Sequence, residues 1–341
     1  MGRVVMIRKA PINALFVLAV AVLPSLSLAQ SPETFFKGQT INLVVGSDVG
    51  GGYDAVSRNL ARHLGKHVVG KPQVIVRNMP GAGGLTHINY MFNTATNDGL
   101  SIGAPFNTVL MRPLYGDPVA KFDPRQFGWL GSTDRQTGVC LTWHRTNIKT
   151  LEDARQREVI AGSTALDFRA TLVNAMLGTK FKVISGYATP DLRMAFERGE
   201  IESICGMSMQ THLTATPHWF RNNLVNVVVQ LGLEKLNQFA DVPLARDLIT
   251  NEEDRQVFDL IAVTQEVGRP YLMPPGVPKE RLTVLREGFA STLTDPEFEA
   301  ESRKQNQAIN PMTGAAIEAL FEGAYRAPKG IIARASQFAE R

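Results

Sequence analysis

The sequence predicts an α/β protein built as two lobes with a cleft between them. Apolar runs rich in branched residues alternate with amphipathic stretches, as they do when strands and their covering helices succeed one another. The runs form two series, one ending near Ala104 and one from Val139 to Val229, which reads as two mostly parallel sheets. With 341 residues, 44% hydrophobic and 20% charged, the chain is long enough for two such domains. The same figures exclude disorder, collagen-like repetition and a disulfide-stapled mini-protein.

Residues 1–29 have the three parts of a secretory signal: basic Arg3, Arg8 and Lys9, an apolar run from Ala14 to Leu23, and Ser27-Leu28-Ala29 as a small-x-small cleavage site. The run is about ten residues where a membrane span needs ~20, and Pro24 interrupts it. A leader cleaved near Ala29 is therefore expected, with the mature chain beginning near Gln30 outside the cytoplasm. Without those three cations, 33 basic residues stand against 32 acidic, and the formal charge falls from +4 to +1. Nucleic-acid binding by a general electrostatic footprint loses its support. Only Cys140 and Cys205 are present. An oxidising compartment permits them to pair, two separate buried thiols being the alternative, and they are too few for a cysteine-built zinc or iron–sulfur site.

The elements come in order. Ile41 to Val45 reads as a buried strand, and Val56, Leu60 and Leu64 then recur every four residues on one helix face. Val74-Ile75-Val76 is a second strand, succeeded by a glycine-rich turn and a helix from about Leu85; a third strand lies near Leu100 to Ala104. The second series places strands at Val139 to Trp143, Val159 to Ala161, Lys182 to Ser185, Ile201 to Cys205 and Val225 to Val229, with helices between. Leu282, Leu285, Phe289 and Leu293 share one face of a late helix, whose first turn suits Pro278.

Two glycine-rich turns carry the candidate chemistry. Gly50, Gly51, Gly52, Tyr53 and Asp54 join a strand to a helix, where free amides and the helix dipole favour an anion and Asp54 could cap the helix. The alternative is a plain tight turn. Pro80-Gly81-Ala82-Gly83-Gly84-Leu85-Thr86 comes after the next strand in the same way. Two such turns converge on one edge of a sheet, where open α/β sheets bind ligands, so an anion held by backbone amides is the concrete expectation. In the second lobe, Ser163 and Thr164 after Gly162 offer hydroxyls and amides to a carboxylate, or simply cap the helix beginning near Asp167. Tyr187 closes over a ligand or packs as a buried tyrosine, and Asn107 at the end of the third strand is a further candidate.

Several near-motifs fail on their spacing. Gly65 to Pro72 almost spells a phosphate-binding loop, but Pro72 stands where Ser or Thr is required. His63 and His67 lie four apart, as zinc ligands do, yet lack the intervening glutamate of a metalloprotease and read as surface histidines beside Lys66. Gly206-Met207-Ser208-Met209-Gln210 approaches a nucleophile elbow until Gln210 replaces the final glycine. No complete nucleophile, base and orienting group can be assembled around it from His87, His144, His212 or His218, so no enzyme is expected.

The whole pattern resembles the extracytoplasmic solute receptors of tripartite tricarboxylate transporters, the Bug or TctC family. The residues that carry the resemblance are Val45 with Gly50-Gly51, Asp54 and Arg58; Val76-Arg77-Asn78 with Pro80-Gly81-Ala82-Gly83-Gly84; Asn97-Asp98-Gly99; Pro274-Pro275-Gly276-Val277-Pro278; and Asp295-Pro296-Glu297-Phe298. It implies a two-lobed periplasmic-binding-protein fold, type II-like, with no cofactor or metal, in which the two glycine-rich turns hold a ligand carboxylate. It also implies a periplasmic monomer that delivers its ligand to a membrane permease. A sensory protein docking on a signalling receptor and a secreted hydrolase are the alternatives. The lobes are expected at 30–132 plus 255–341 and at 133–254. Gly46 and Ser47 depart from the family's usual Pro and aromatic, and Ser185-Gly186-Tyr187 stands where a Val-Pro-Tyr string is common, which marks a divergent branch.

Overall fold

Two mixed sheets, each flanked by helices, make up residues 32–341 of the computed structural model, which describes residues 1, 2, 6, 31–163 and 168–339. The expected leader and Thr164 lie outside the described residues, apart from Met1, Gly2 and Met6. The first sheet is entered by α1 (Pro32–Phe36), β1 (Thr40–Val45), α2 (Gly52–His67), β2 (Gln73–Asn78), α3 (Leu85–Asn93), β3 (Ser101–Ala104) and β4 (Gly128–Ser132). The second holds β5 (Gly138–Trp143), α4 (Leu151–Gln156), β6 (Val159–Gly162), α5 (Arg169–Leu177), β7 (Phe181–Ile184), α6 (Thr189–Arg198), β8 (Ser203–Ser208), α7 (Met209–Ala215), α8 (Pro217–Arg221) and β9 (Val225–Leu231). The chain returns through α9 (Ala245–Leu248) and α10 (Glu252–Val267) to β10 (Pro270–Met273), α11 (Lys279–Leu293), α12 (Pro296–Lys304), β11 (Met312–Thr313), α13 (Gly314–Tyr325) and α14 (Lys329–Ala339).

The sheet orders are β11-β4-β10-β3-β1-β2 and β7-β6-β8-β5-β9. The expectation of mostly parallel sheets needs correcting: β1 pairs in parallel with β2 and β3, and β6 with β7 and β8, but β4, β5, β9, β10 and β11 all pair antiparallel. The reason is topological. A strand that leaves one sheet to feed the other crosses against the βαβ direction, so β4 into β5 and α10 into β10 add reversed strands to each sheet.

The α2 stripe packs as its spacing requires, with Val56 4% exposed and Leu60 and Leu64 at 0%, against Leu43, Leu285 and Phe289. Each such leucine contributes roughly 1.5–3 kcal/mol by leaving water. Pro278 is the N-cap of α11, one position ahead of its first turn. His63, expected on the surface, is buried where α12 covers α2; its Nε2 meets Glu301 at 2.9 Å, and His67 meets Asp295 at 2.6 Å. His63, Asp295 and Glu297 bring ligand-type atoms within 4.8 Å of one another, but Lys66 Nζ already sits 2.6 Å from Asp295 and 2.7 Å from Glu297. Cys140 and Cys205 are register partners across β5 and β8 and are joined by a disulfide.

Candidate functional site

Strands β1, β2 and β3 end together at Val45, Asn78 and Ala104, so the segments after them share one edge of the first sheet. There Gly46, Ser47, Asp48, Pro80, Gly81, Gly83, Gly84 and Phe106 line an open pocket of about 420 Å³. No lysine or arginine is on this wall, and its one charged group, Asp48, is exposed to solvent. What the wall offers an anion is backbone amide, as both glycine-rich turns lead one to expect.

The first turn is held from behind. Gly51, without a side-chain bond, is the N-cap of α2, so Asp54 stands in the first turn of the helix rather than at its cap. Its carboxylate is 2% exposed and accepts from Gly50 N (2.8 Å), Arg58 Nε (3.0 Å) and Asn78 Nδ2 (2.9 Å). Asn78 in turn donates to Ser47 O at 3.0 Å and accepts from Arg58 at 2.9 Å. Burial alone would raise the Asp54 pKa, but the bonds from Arg58, Gly50 and Asn78 outweigh it and hold the carboxyl below its usual range. Asp54 and Asn78 thus fix the loop between β1 and α2 against the end of β2.

In the second turn, Ala82 to Gly84 form a single 3-10 turn before α3. Gly84 adopts φ +100°, and a Cβ there would lie 2.8 Å from the Phe106 ring, so backbone and aromatic wall meet only because this residue is glycine. Thr86 is exposed and lies over Gly81. A comparable contact explains the departure at position 46. A Cβ on Gly46 would stand 3.1 Å from Cγ and Nδ1 of His87, which is fully buried under the loop. His87 Nε2 lies 3.0 Å from Val44 O, while Nδ1 has no partner among the described residues. Burial pushes this imidazole down to about 4, so it is neutral near pH 7.

Tyr53 connects the pocket to the crossings between the lobes. Its hydroxyl donates to Gly268 O at 3.1 Å and accepts from Asn107 N at 3.2 Å, while its ring meets Phe106 edge-on at 4.9 Å. Burial raises its pKa to about 12, against the pull of Arg269. Gly268 ends α10, and next to it Arg269 pairs with Asp134 on the other crossing, at 7% and 1% exposure. The crossings are further joined by Thr133 N to Arg269 O at 3.2 Å and Gly138 N to Gln265 Oε1 at 2.8 Å.

On the second sheet, Ser163 and Tyr187 share the edge where β6 and β7 end. Ser163 Oγ lies 3.2 Å from Ser185 Oγ, and Ser163 O accepts from Tyr187 N at 3.3 Å. The half-buried Tyr187 ring packs beside Gly162 on that lobe's own core. Asn107 is buried in the 3-10 turn after β3. Ser208 is the N-cap of α7, accepting from Thr211 N at 3.2 Å, and the buried His212 lies against Trp219 at 5.9 Å; no hydrogen bond joins Ser208 to His212. Sequence reasoning missed Phe106 and His87 as parts of the pocket. The unusual Gly46 was the one signal that could have led to His87.

A roomier groove of about 500 Å³ lies elsewhere, between α10, α13 and α14. Its walls are largely aliphatic, with Leu260, Val263, Leu320 and Ile331, and its guanidinium, Arg246, is already held by Asp259 at 2.6 Å. It offers a small carboxylate little beyond apolar surface.

No protein-family model matches the chain, and no curated protein matches it by sequence. Solved structures do. A TctC solute-binding protein from Polaromonas aligns with TM-score 0.65 at 19% identity, over 87% of this chain and 98% of that one. The periplasmic binding protein BugD aligns with TM-score 0.62 at 19% identity, over 89% and 96%. MatC from Rhodopseudomonas palustris with bound malate aligns with TM-score 0.63 at 16% identity, over 88% and 99%. Two sheets of this order, joined by paired crossings and matched over nearly the whole length of these proteins, give the chain the two-lobed periplasmic-binding-protein fold.

Proposed function

We propose that this protein is a divergent member of the extracytoplasmic receptor family of tripartite tricarboxylate transporters. In this reading it closes its lobes, 30–132 with 255–341 and 133–254, around a small organic carboxylate and presents it to a membrane permease. It works as a monomer in the periplasm after a leader is cleaved near Ala29. The observation that carries the proposal is the pocket between the two glycine-rich turns, walled by backbone amides at the ends of β1 and β2 and free of basic side chains. Amide dipoles neutralise a carboxylate locally, which suits a mature chain of nearly balanced charge. Support also comes from the shared fold of the TctC protein and of MatC with malate. Gly50 to Asp54 and Gly81 to Thr86 hold the carboxylate, Asp54 and Tyr53 from behind; Asn107, Ser163, Thr164 and Tyr187 flank the rest of the ligand. Closure about the crossings at 133–137 and 268–269 buries the ligand and creates the state the permease recognises.

The test is calorimetric titration of the mature protein, unfolded and refolded to remove carried-over ligand, against mono-, di- and tricarboxylates, aromatic acids and their neutral amides. Saturable binding of an acid with none of its amide is expected. A folded protein silent to all the acids would overturn the proposal.

A further inference from the structure

A second, enclosed pocket lies between the lobes, beside the glycine-walled one. It is lined by Thr108, Val109, Arg112 and Tyr115 from the segment after β3, by Phe168 and Arg169 at the start of α5, and by Ile261 and Thr264 of α10. Its volume of about 80 Å³ holds two or three water-sized groups at ~30 Å³ each, enough for one small charged group. The two pockets adjoin through neighbouring residues of one segment, since Phe106 walls the first and Thr108 the second. Arg169 is also close enough to lower the Tyr53 pKa by its charge, across the gap between lobes.

We infer that this pocket is a second anion subsite, in which Arg169 of one lobe and Arg112 of the other close on a second negatively charged group of the ligand. The described lining carries two guanidiniums, two threonine hydroxyls and the Tyr115 ring, and no carboxylate. Arg112 is ion-paired with Asp117, and Arg169 donates to Gly206 O, so each head group is anchored by its own lobe. Two like charges facing one small, enclosed space repel each other, and an anion between them turns that repulsion into attraction across the cleft. The subsite therefore favours the closed state only when the ligand carries charge at both ends. The shared chemistry is a second anionic head, whether carboxylate, sulfonate or phosphonate.

This inference rests on the carboxylate-receptor reading, and the test separates the two. The refolded mature protein is titrated with matched series of one chain length: a dicarboxylate, its monoamide, and the sulfonate and phosphonate analogues that keep one carboxylate. The dianions are expected to bind at least about tenfold more tightly than the monoamide, on the scale of one charge-assisted hydrogen bond. The head group preferred in that series identifies the second anion. In Arg169→Gln that ratio should fall toward one, with partial recovery in Arg169→Lys, and Arg112→Gln should lower it from the opposite lobe. A merely structural arginine would change both affinities together and leave the ratio intact, which would overturn the inference. Equal affinities for dicarboxylate and monoamide in the unaltered protein would also overturn it while leaving the receptor reading standing. No binding of any acid would instead remove the reading on which it rests.

Discussion

Replacing Asp54 by alanine tests how the pocket is built. The carboxylate is buried and accepts from a backbone amide, a side-chain amide and a guanidinium, so its removal leaves Gly50 N without its acceptor and Asn78 Nδ2 with only its bond to Ser47 O. A charge-assisted hydrogen bond contributes about 1.5–3 kcal/mol, and two of the three are to neutral donors fixed by the fold. The Arg58 pair adds little, because that arginine's side chain is 42% exposed and solvent screens it. The expected loss is therefore about 2–4 kcal/mol of folding stability. For binding, the loop must then be ordered at the moment of capture, and fixing even one residue costs about 1–2 kcal/mol, a tenfold effect or more on Kd. Urea denaturation and calorimetric titration of Asp54→Ala measure both, with Asp54→Asn, which keeps one carbonyl acceptor, falling between. An Asp54→Ala protein with unchanged affinity would refute the role assigned to this loop.

The surroundings of the pocket and the disulfide give further expected outcomes. Gly46→Ala places a methyl 3.1 Å from the His87 ring, and overpacking of this kind should cost about 1–3 kcal/mol in urea denaturation; no loss would mean that the ring yields freely. His87 has a folded pKa depressed from 6.5 to about 4, so its contribution is complete above pH 6.5 and is lost as pH falls toward 4, where the unfolded chain takes up a proton that the folded one refuses. That amounts to about 3 kcal/mol at 1.36 kcal/mol per pH unit, and His87→Phe should flatten the stability profile over that window. Thiol titration of the denatured, unreduced protein should find no free thiol, since Cys140 and Cys205 are bonded; two free thiols would contradict the pairing. Reduction should lower stability by roughly 4 kcal/mol, from the loop-closure entropy of their 65-residue separation.

Much of the fold is legible in the sequence because its βαβ units carry strong local signals. The apolar runs ending at Val45 and Ala104, the four-residue spacing of Val56, Leu60 and Leu64, and the glycines after β1 and β2 all lie where local pattern dictates. The strands that join the lobes are hidden for physical reasons. β4 is Gly128-Trp129-Leu130-Gly131-Ser132, its glycines admitting Leu282 and Phe289 close to the backbone, and β10 opens on Pro270 in only four residues. Both gain their strand conformation from pairing partners distant in sequence, which no local period reports. His63 was misjudged for a related reason, because the cover over it comes from α12, more than 230 residues later. At the site, the two amide-bearing turns were legible as glycine spacing. His87, Phe106 and the arginines facing the cleft were not, since only the folded chain brings them to the ligand loops.

Whether backbone amides at the ends of β1 and β2 hold a carboxylate can be observed amide by amide. The experiment is an NMR titration of ¹⁵N-labelled, refolded protein with the acid that calorimetry identifies. Saturable shifts are expected to concentrate on Gly46 to Gly52 and Gly81 to Gly84, with none on addition of the neutral amide. Saturable shifts confined to the aliphatic groove around Leu260, Leu320 and Ile331, with the glycine-rich turns unmoved, would place the ligand elsewhere and refute the carboxylate site.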